Sequence, residues 1–97
     1  MPYIDMKDRE FLDGDIEELA ETMQEVDGQL PIKPGIANYV ITRLVNLTMK
    51  PYSGWSYASL SKALAVFRDA EAEMRRRLLD MYEDKAIQRN GDIPEYE

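Results

Sequence analysis

Between Tyr57 and Arg89 the chain contains neither glycine nor proline. No other stretch of the sequence is uninterrupted for so long, and it limits the fold more than any other feature. Leu60, Leu64, Phe67, Met74, Leu78 and Met81 follow one another at alternating spacings of four and three, interrupted only by Glu71. That is the spacing of a helical seam, and Ala63 and Ala70 beside it permit close approach of a partner helix. Ser56 is placed to cap the helix start, with Trp55 and Leu60 at the staple positions. The sequence therefore predicts a helix over 56–89, ended by Asn90-Gly91 and followed by a tail, 90–97. A straight helix of that length would run about 50 Å. A compact domain of this size is only roughly 30 Å across. Either the helix breaks near 80–83 or its end projects and packs on another copy.

Two shorter helices are expected before it. Ile16, Leu19, Ala20, Met23 and Val26 share one face of a helix over 14–26, capped by Asp13 or Asp15 and stopped at Gly28. Residues 27–35 contain two prolines and two glycines and read as a loop, with Leu30 and Ile32 turned inward. A helix over 36–50 ends where Pro51 forbids continuation. Its apolar positions cover so much of its circumference that neighbours are expected on two sides. The β-branched cluster Val40, Ile41, Thr42 and Val45 leaves a strand open for 39–45. Residues 1–12 read as an arm that docks Ile4, Phe11 and Leu12 on the body. The expected architecture is all-α: a three-helix bundle in a single domain over 1–97, with a long C-terminal helix.

Composition closes off several kinds of chemistry. The chain has no cysteine and no histidine. That excludes disulfides, thiolate nucleophiles, Cys or His metal sites and histidine acid–base catalysis. Twelve Lys and Arg against 19 Asp and Glu give a net charge of −7. Such a field repels a phosphate backbone, and acidic neighbours offset the only basic run, Arg75-Arg76-Arg77. Nucleic acid is not an expected partner. No apolar run approaches the ~20 residues of a membrane span, and the N-terminus does not read as a secretory signal. The expected compartment is the cytoplasm.

Few constellations suggest catalysis. Glu18-x-x-Glu21 matches the first metal-binding spacing of compact all-α nucleoside-triphosphate pyrophosphohydrolases, which hold Mg²⁺. Their second motif, Glu-x-x-Asp on a later helix, is absent, because Asp80-x-x-Glu83 reverses the order and Glu73 is followed by Arg76. The serines at 53, 56, 59 and 61 have no histidine to activate them. Arg43, in the middle of the apolar second helix, either pairs with a carboxylate across a helix interface or presents its fork to an anion. Of the three consecutive arginines at most two can serve one site, and one is expected to pair with Glu73 or Asp80.

Met-Pro-Tyr-Ile at 1–4, Asp8-Arg9, Asn38-Tyr39-Val40-Ile41-Thr42-Arg43-Leu44, Ser56-Tyr57-Ala58, Arg76-Arg77, Tyr82-Glu83-Asp84-Lys85 and Asn90-Gly91-Asp92-Ile93 stand along the whole chain. Together they resemble a family of small uncharacterised proteins from bacteria, archaea and tailed phages. The resemblance implies no activity. Members of that family often have a shorter loop between the first two helices and a proline before the tyrosine matching Tyr82. Here Met81 stands in that place. The resemblance therefore implies a helix break near 80–82. It also draws attention to a polar set: Tyr39, Arg43, Arg77, Tyr82, Lys85 and Asn90, with Arg9, Asn38, Glu83 and Asp92. These residues are expected either to form a network, with Arg43, Glu83 and Lys85 as ion pairs, or to surround an anionic small molecule.

The expected function is non-enzymatic and needs no cofactor: a self-associating, homo-oligomeric helical module that binds protein partners in a phage or prophage setting. A sponge or sensor for a nucleotide-like anion is the second reading. Mg²⁺-dependent nucleotide hydrolysis through Glu18 and Glu21 is the third.

Overall fold

The structure is a computed structural model and describes residues 2–97. It is all-helical, and no strand occurs among the described residues. Helix α1 spans Met6–Asp27, α2 spans Pro34–Met49 and α3 spans Tyr57–Met74. A π-helical turn, Arg75–Leu79, joins α3 to α4, Asp80–Asn90, and a 3-10 turn follows at Pro94–Tyr96. From Tyr57 to Asn90 the chain is one continuous helix. It does not break at 80–83; the irregularity lies earlier and is a widened turn. The chain divides into two compact units, Tyr3–Ala63 and Leu64–Glu97 together with Pro2.

In the first unit α1 begins eight residues before the position that spacing predicts, at Met6 rather than at residue 14. Gly14 lies inside it and terminates nothing. Neither Asp13 nor Asp15 caps the start. Asp5 does, through its carbonyl oxygen, which accepts the Asp8 and Arg9 amides at 3.0 Å each. The guanidinium of Arg9 folds back to donate to the Ile4 carbonyl at 2.8 Å and lies 5.9 Å from the Tyr3 ring centroid. Residues 6–12 are therefore helix, and only 2–5 resemble an arm. The expected docking of Phe11 does not occur, since 87% of it is exposed.

The stop at Gly28 is as predicted: its φ of +73° is left-handed, and its amide donates to the Gln24 carbonyl at 2.7 Å. Asp27 fixes the loop that follows. Its carboxylate accepts the Lys33 amide at 3.0 Å and lies 3.9 Å from Lys33 Nζ, with only 5% of the side chain exposed. Lys33 is the N-cap of α2, so one carboxylate ties the end of α1 to the start of α2. Leu30 is exposed rather than turned inward; Ile32 is half-buried.

Helix α2 touches α1 along one face, while Ile41, Leu44 and Leu47 remain exposed on the rest. The expected second neighbour for α2 is not seen within this unit. Ser56 caps α3 as predicted, and reciprocally: Ser59 N donates to Ser56 Oγ at 3.2 Å and Ser56 N to Ser59 Oγ at 2.8 Å. That satisfies two amides which the first turn of a helix otherwise leaves open.

The second unit is simpler. It consists of the helix from Leu64 to Asn90, the 3-10 turn, and Pro2 beside Val66, Asp69 and Ala70. Gly91, at φ +84°, ends the helix by donating its amide to Ile87 O at 2.7 Å.

Very little of the apolar surface is covered. Ala63, at 4% exposure, is the only buried residue among those described. The chain exposes 8787 Å². A folded monomer of this mass exposes about 5700 Å², and even two separate globules the size of the two units would expose only about 6900 Å² together. Large apolar side chains on helix faces, Phe11, Leu47, Met74 and Leu78 among them, are exposed.

Candidate functional site

The residues of the predicted polar set are divided between the two units. Tyr39 and Arg43 are one turn apart on α2, in the first unit. Arg77, Tyr82, Lys85 and Asn90 belong to the second. Arg43 is exposed and makes no hydrogen bond or ion pair among the described residues. The expected pairing of Arg43 with a carboxylate is thus not formed. Within the second unit neither Glu83 nor Lys85 makes an ion pair among the described residues.

Two local arrangements do form. In the first unit Leu19, Met23 and Val26 of α1 and Ile36, Tyr39 and Val40 of α2 enclose an apolar cleft of about 360 Å³. Tyr39 is part of that wall, and nothing in the lining offers a charge to an anion. In the second unit Tyr82, Lys85, Gln88 and Arg89 surround an open concavity of about 510 Å³ on α4. Tyr82, Lys85 and Arg89 stand at i, i+3 and i+7, which places them on one helix face. The sequence reading contained Tyr82 and Lys85 but missed Arg89 and Gln88. The i, i+3, i+7 spacing was the available signal. Asn90 lies next to this face without lining the concavity, and Arg77 lies in the π turn.

The arginine run is largely committed within its own helix. Arg75 donates to Glu71 Oε1 from Nε at 3.1 Å and from Nη2 at 2.5 Å. Arg76 donates to Glu73 from Nη2 at 2.6 Å and from Nε at 3.3 Å. The predicted pairing with Glu73 is therefore present and Arg76 makes it. The hydrogen bonds that Arg75 donates to Glu71, and then the Glu71 charge, raise the Arg75 pKa above its usual value. These bonds leave little of the run free for phosphate.

Metal-dependent hydrolysis gains no support from the geometry. Glu18 and Glu21 are exposed on α1, and no cluster of three acidic side chains suited to a metal ion occurs among the described residues. No helix among the described residues is long and apolar enough to cross a membrane.

No curated protein and no solved structure matches the chain. A family model does, described as a domain of unknown function, and it covers residues 1–93. With all but the last four residues inside that match, the chain belongs to the DUF6899 family.

Proposed function

We propose that this protein is a non-enzymatic helical interaction module that works by self-association, and through the assembly by binding a protein partner. One observation carries the reading. The chain exposes roughly 1900 Å² more than two separate globules of its units' sizes would. Obligate homodimers bury about 1000–2500 Å² per partner, so a second copy accounts for that surplus. An assembly role in the cytoplasm fits the tailed-phage setting to which the sequence resemblance points. Light scattering after size exclusion, across the micromolar range, tests the reading. A dimer or larger particle is the expected result, and a well-folded monomer at high micromolar concentration would overturn it.

A second reading, capture of a nucleotide-like anion, is supported by the Tyr82, Lys85 and Arg89 face, where a ring to stack on adjoins two cations. Native mass spectrometry with a nucleotide panel tests it: a retained adduct supports it, and none at millimolar nucleotide removes it.

A further inference from the structure

The helix of the second unit carries a stripe with no helix of its own unit to cover it. Phe67, Met74 and Leu78 lie on the stripe, with Ala70 and Glu71 sharing one level. Met74 is 66% exposed and Leu78 is 62% exposed. The π turn decides where the stripe goes next. A π turn holds about one residue more than an α turn. Two turns that include it therefore take about eight residues instead of seven, and the face that returns after Met74 belongs to Tyr82, not Met81. Beyond Tyr82 the stripe continues through Lys85 and Ala86 to Arg89. The concavity on α4 is this continuation.

Counted from Leu78, Met74, Ala70 and Phe67 stand 4, 8 and 11 residues before it, and Tyr82, Ala86 and Arg89 stand 4, 8 and 11 after it. Glu71 and Lys85 stand 7 before and 7 after. The stripe is thus symmetric in spacing but not in chemistry: apolar and acidic on one side, aromatic and cationic on the other. We propose that this helix pairs antiparallel with the same helix of a second copy, about a two-fold axis at Leu78. The inference rests on the self-association reading and specifies its interface.

The antiparallel register brings Leu78 against its own copy, Met74 to Tyr82, Ala70 to Ala86 and Phe67 to Arg89. A thioether on an aromatic ring and a guanidinium on a phenyl face are both favourable contacts. Ala70, which Pro2 adjoins on one side, and Ala86 form the layer with the smallest side chains, and Glu71 and Lys85 flank it at the same level. Arg75 holds Glu71 only through Oε1, so Oε2 is open to a cation reaching across that layer. A parallel pairing would instead stack Arg89 on Arg89, Lys85 on Lys85 and Glu71 on Glu71. Charge selects the antiparallel arrangement. The chain-wide surplus of exposed surface, of the size a stable dimer buries, supplies the second copy as the occupant, and the complementary charges place it on this stripe.

The absence of cysteine makes the test clean. A disulfide needs Cα atoms within about 7 Å, which at the axis is met by a residue and its own copy. Leu78→Cys should oxidise to a covalent dimer, whereas Leu64→Cys, 14 residues from the axis, should not. A mixture of Met74→Cys and Tyr82→Cys chains should cross-link to each other more than either does to itself. Glu71→Lys and Lys85→Glu should each weaken the dimer about tenfold, and the double exchange should restore it. A non-covalent dimer in which Leu64→Cys links as readily as Leu78→Cys, or in which Leu78→Cys does not link, overturns the antiparallel register and leaves self-association standing. A dimer that takes up nucleotide on the Tyr82 face without dissociating overturns the pairing, because that face is then not buried in the interface. A monomer overturns both readings. Circular dichroism on each variant separates lost pairing from lost helix; if Leu78→Cys does not fold, the Met74→Cys and Tyr82→Cys mixture decides the register.

Discussion

The two units of this chain are held together by different means. In Tyr3–Ala63 several interactions cross from one element to another: α1 meets α2 over an apolar cleft, and the Asp27 carboxylate ties one helix end to the next helix start. In Leu64–Glu97 the described ion pairs are local, Glu71 with Arg75 and Glu73 with Arg76, and the end is closed by a glycine cap. Local pairs and caps stabilise a helix by fractions of a kcal/mol each. Such terms alone supply little of the stability of a helix, because most helical stability in proteins comes from packing an apolar face. The first unit has tertiary structure of its own, and in the pairing proposed above a second copy covers the apolar face of the second.

The strongest way to break this contrast is Leu78→Asp. A buried leucine contributes about 1.5–3 kcal/mol, and a two-fold axis counts it twice. The dimer should weaken by about two to four orders of magnitude, read by sedimentation equilibrium. Helix content should fall mainly in the second unit, read by amide hydrogen exchange. Unchanged exchange over 64–90 in a monomeric variant would show that the helix needs no partner.

Asp27→Ala probes the first unit. It removes a nearly buried acceptor and leaves the Lys33 amide without its bond, so a loss of about 1–3 kcal/mol is expected in chemical denaturation. Association should be unaffected. Ser59→Ala removes half of the reciprocal cap of α3 and should cost about 1 kcal/mol, visible as earlier fraying near Tyr57. Gly28→Ala forces a side chain onto a φ of +73° where nothing else crowds it, so the cost is backbone strain alone, about 1 kcal/mol.

Arg75→Ala should have the smallest effect. Its pair with Glu71 is fully solvated, so any loss of thermal stability should disappear at high salt. The folded-state pKa of Arg75 is raised, so its contribution is complete below the unfolded value and is lost only as pH rises through the folded one. Across ordinary pH the guanidinium stays charged, and a flat pH profile is expected from it.

Much of the fold was legible because its signals are local. The glycine-free and proline-free run became the long helix, Ser56 its cap, and Gly28 and Gly91 the helix ends. The start of α1 was less legible, because Asp13 and Asp15 resemble caps ahead of the apolar face from Ile16, whereas the helix runs on through Gly14 from Met6. Inside a helix a glycine costs only about 1 kcal/mol, and the surrounding sequence tolerated it. The candidate site was less legible. Tyr39 walls the apolar cleft between α1 and α2, and on α4 Tyr82 and Lys85 share their concavity with Gln88 and Arg89, which the polar set did not include. Sequence pattern reports which residues share a helix face, not which helices share a site.

The sequence by itself determined that this chain is helical, where its helices end, and that a long apolar seam runs along the last of them. Only the tertiary structure decided where that seam leads. The seam as written in the sequence passes through Met81, but the π turn at Arg75–Leu79 takes up an extra residue and carries it to Tyr82, Lys85 and Arg89. Periodicity assumes a constant number of residues per turn. One widened turn exchanges the face that follows it, and no count along the sequence reveals where that turn lies.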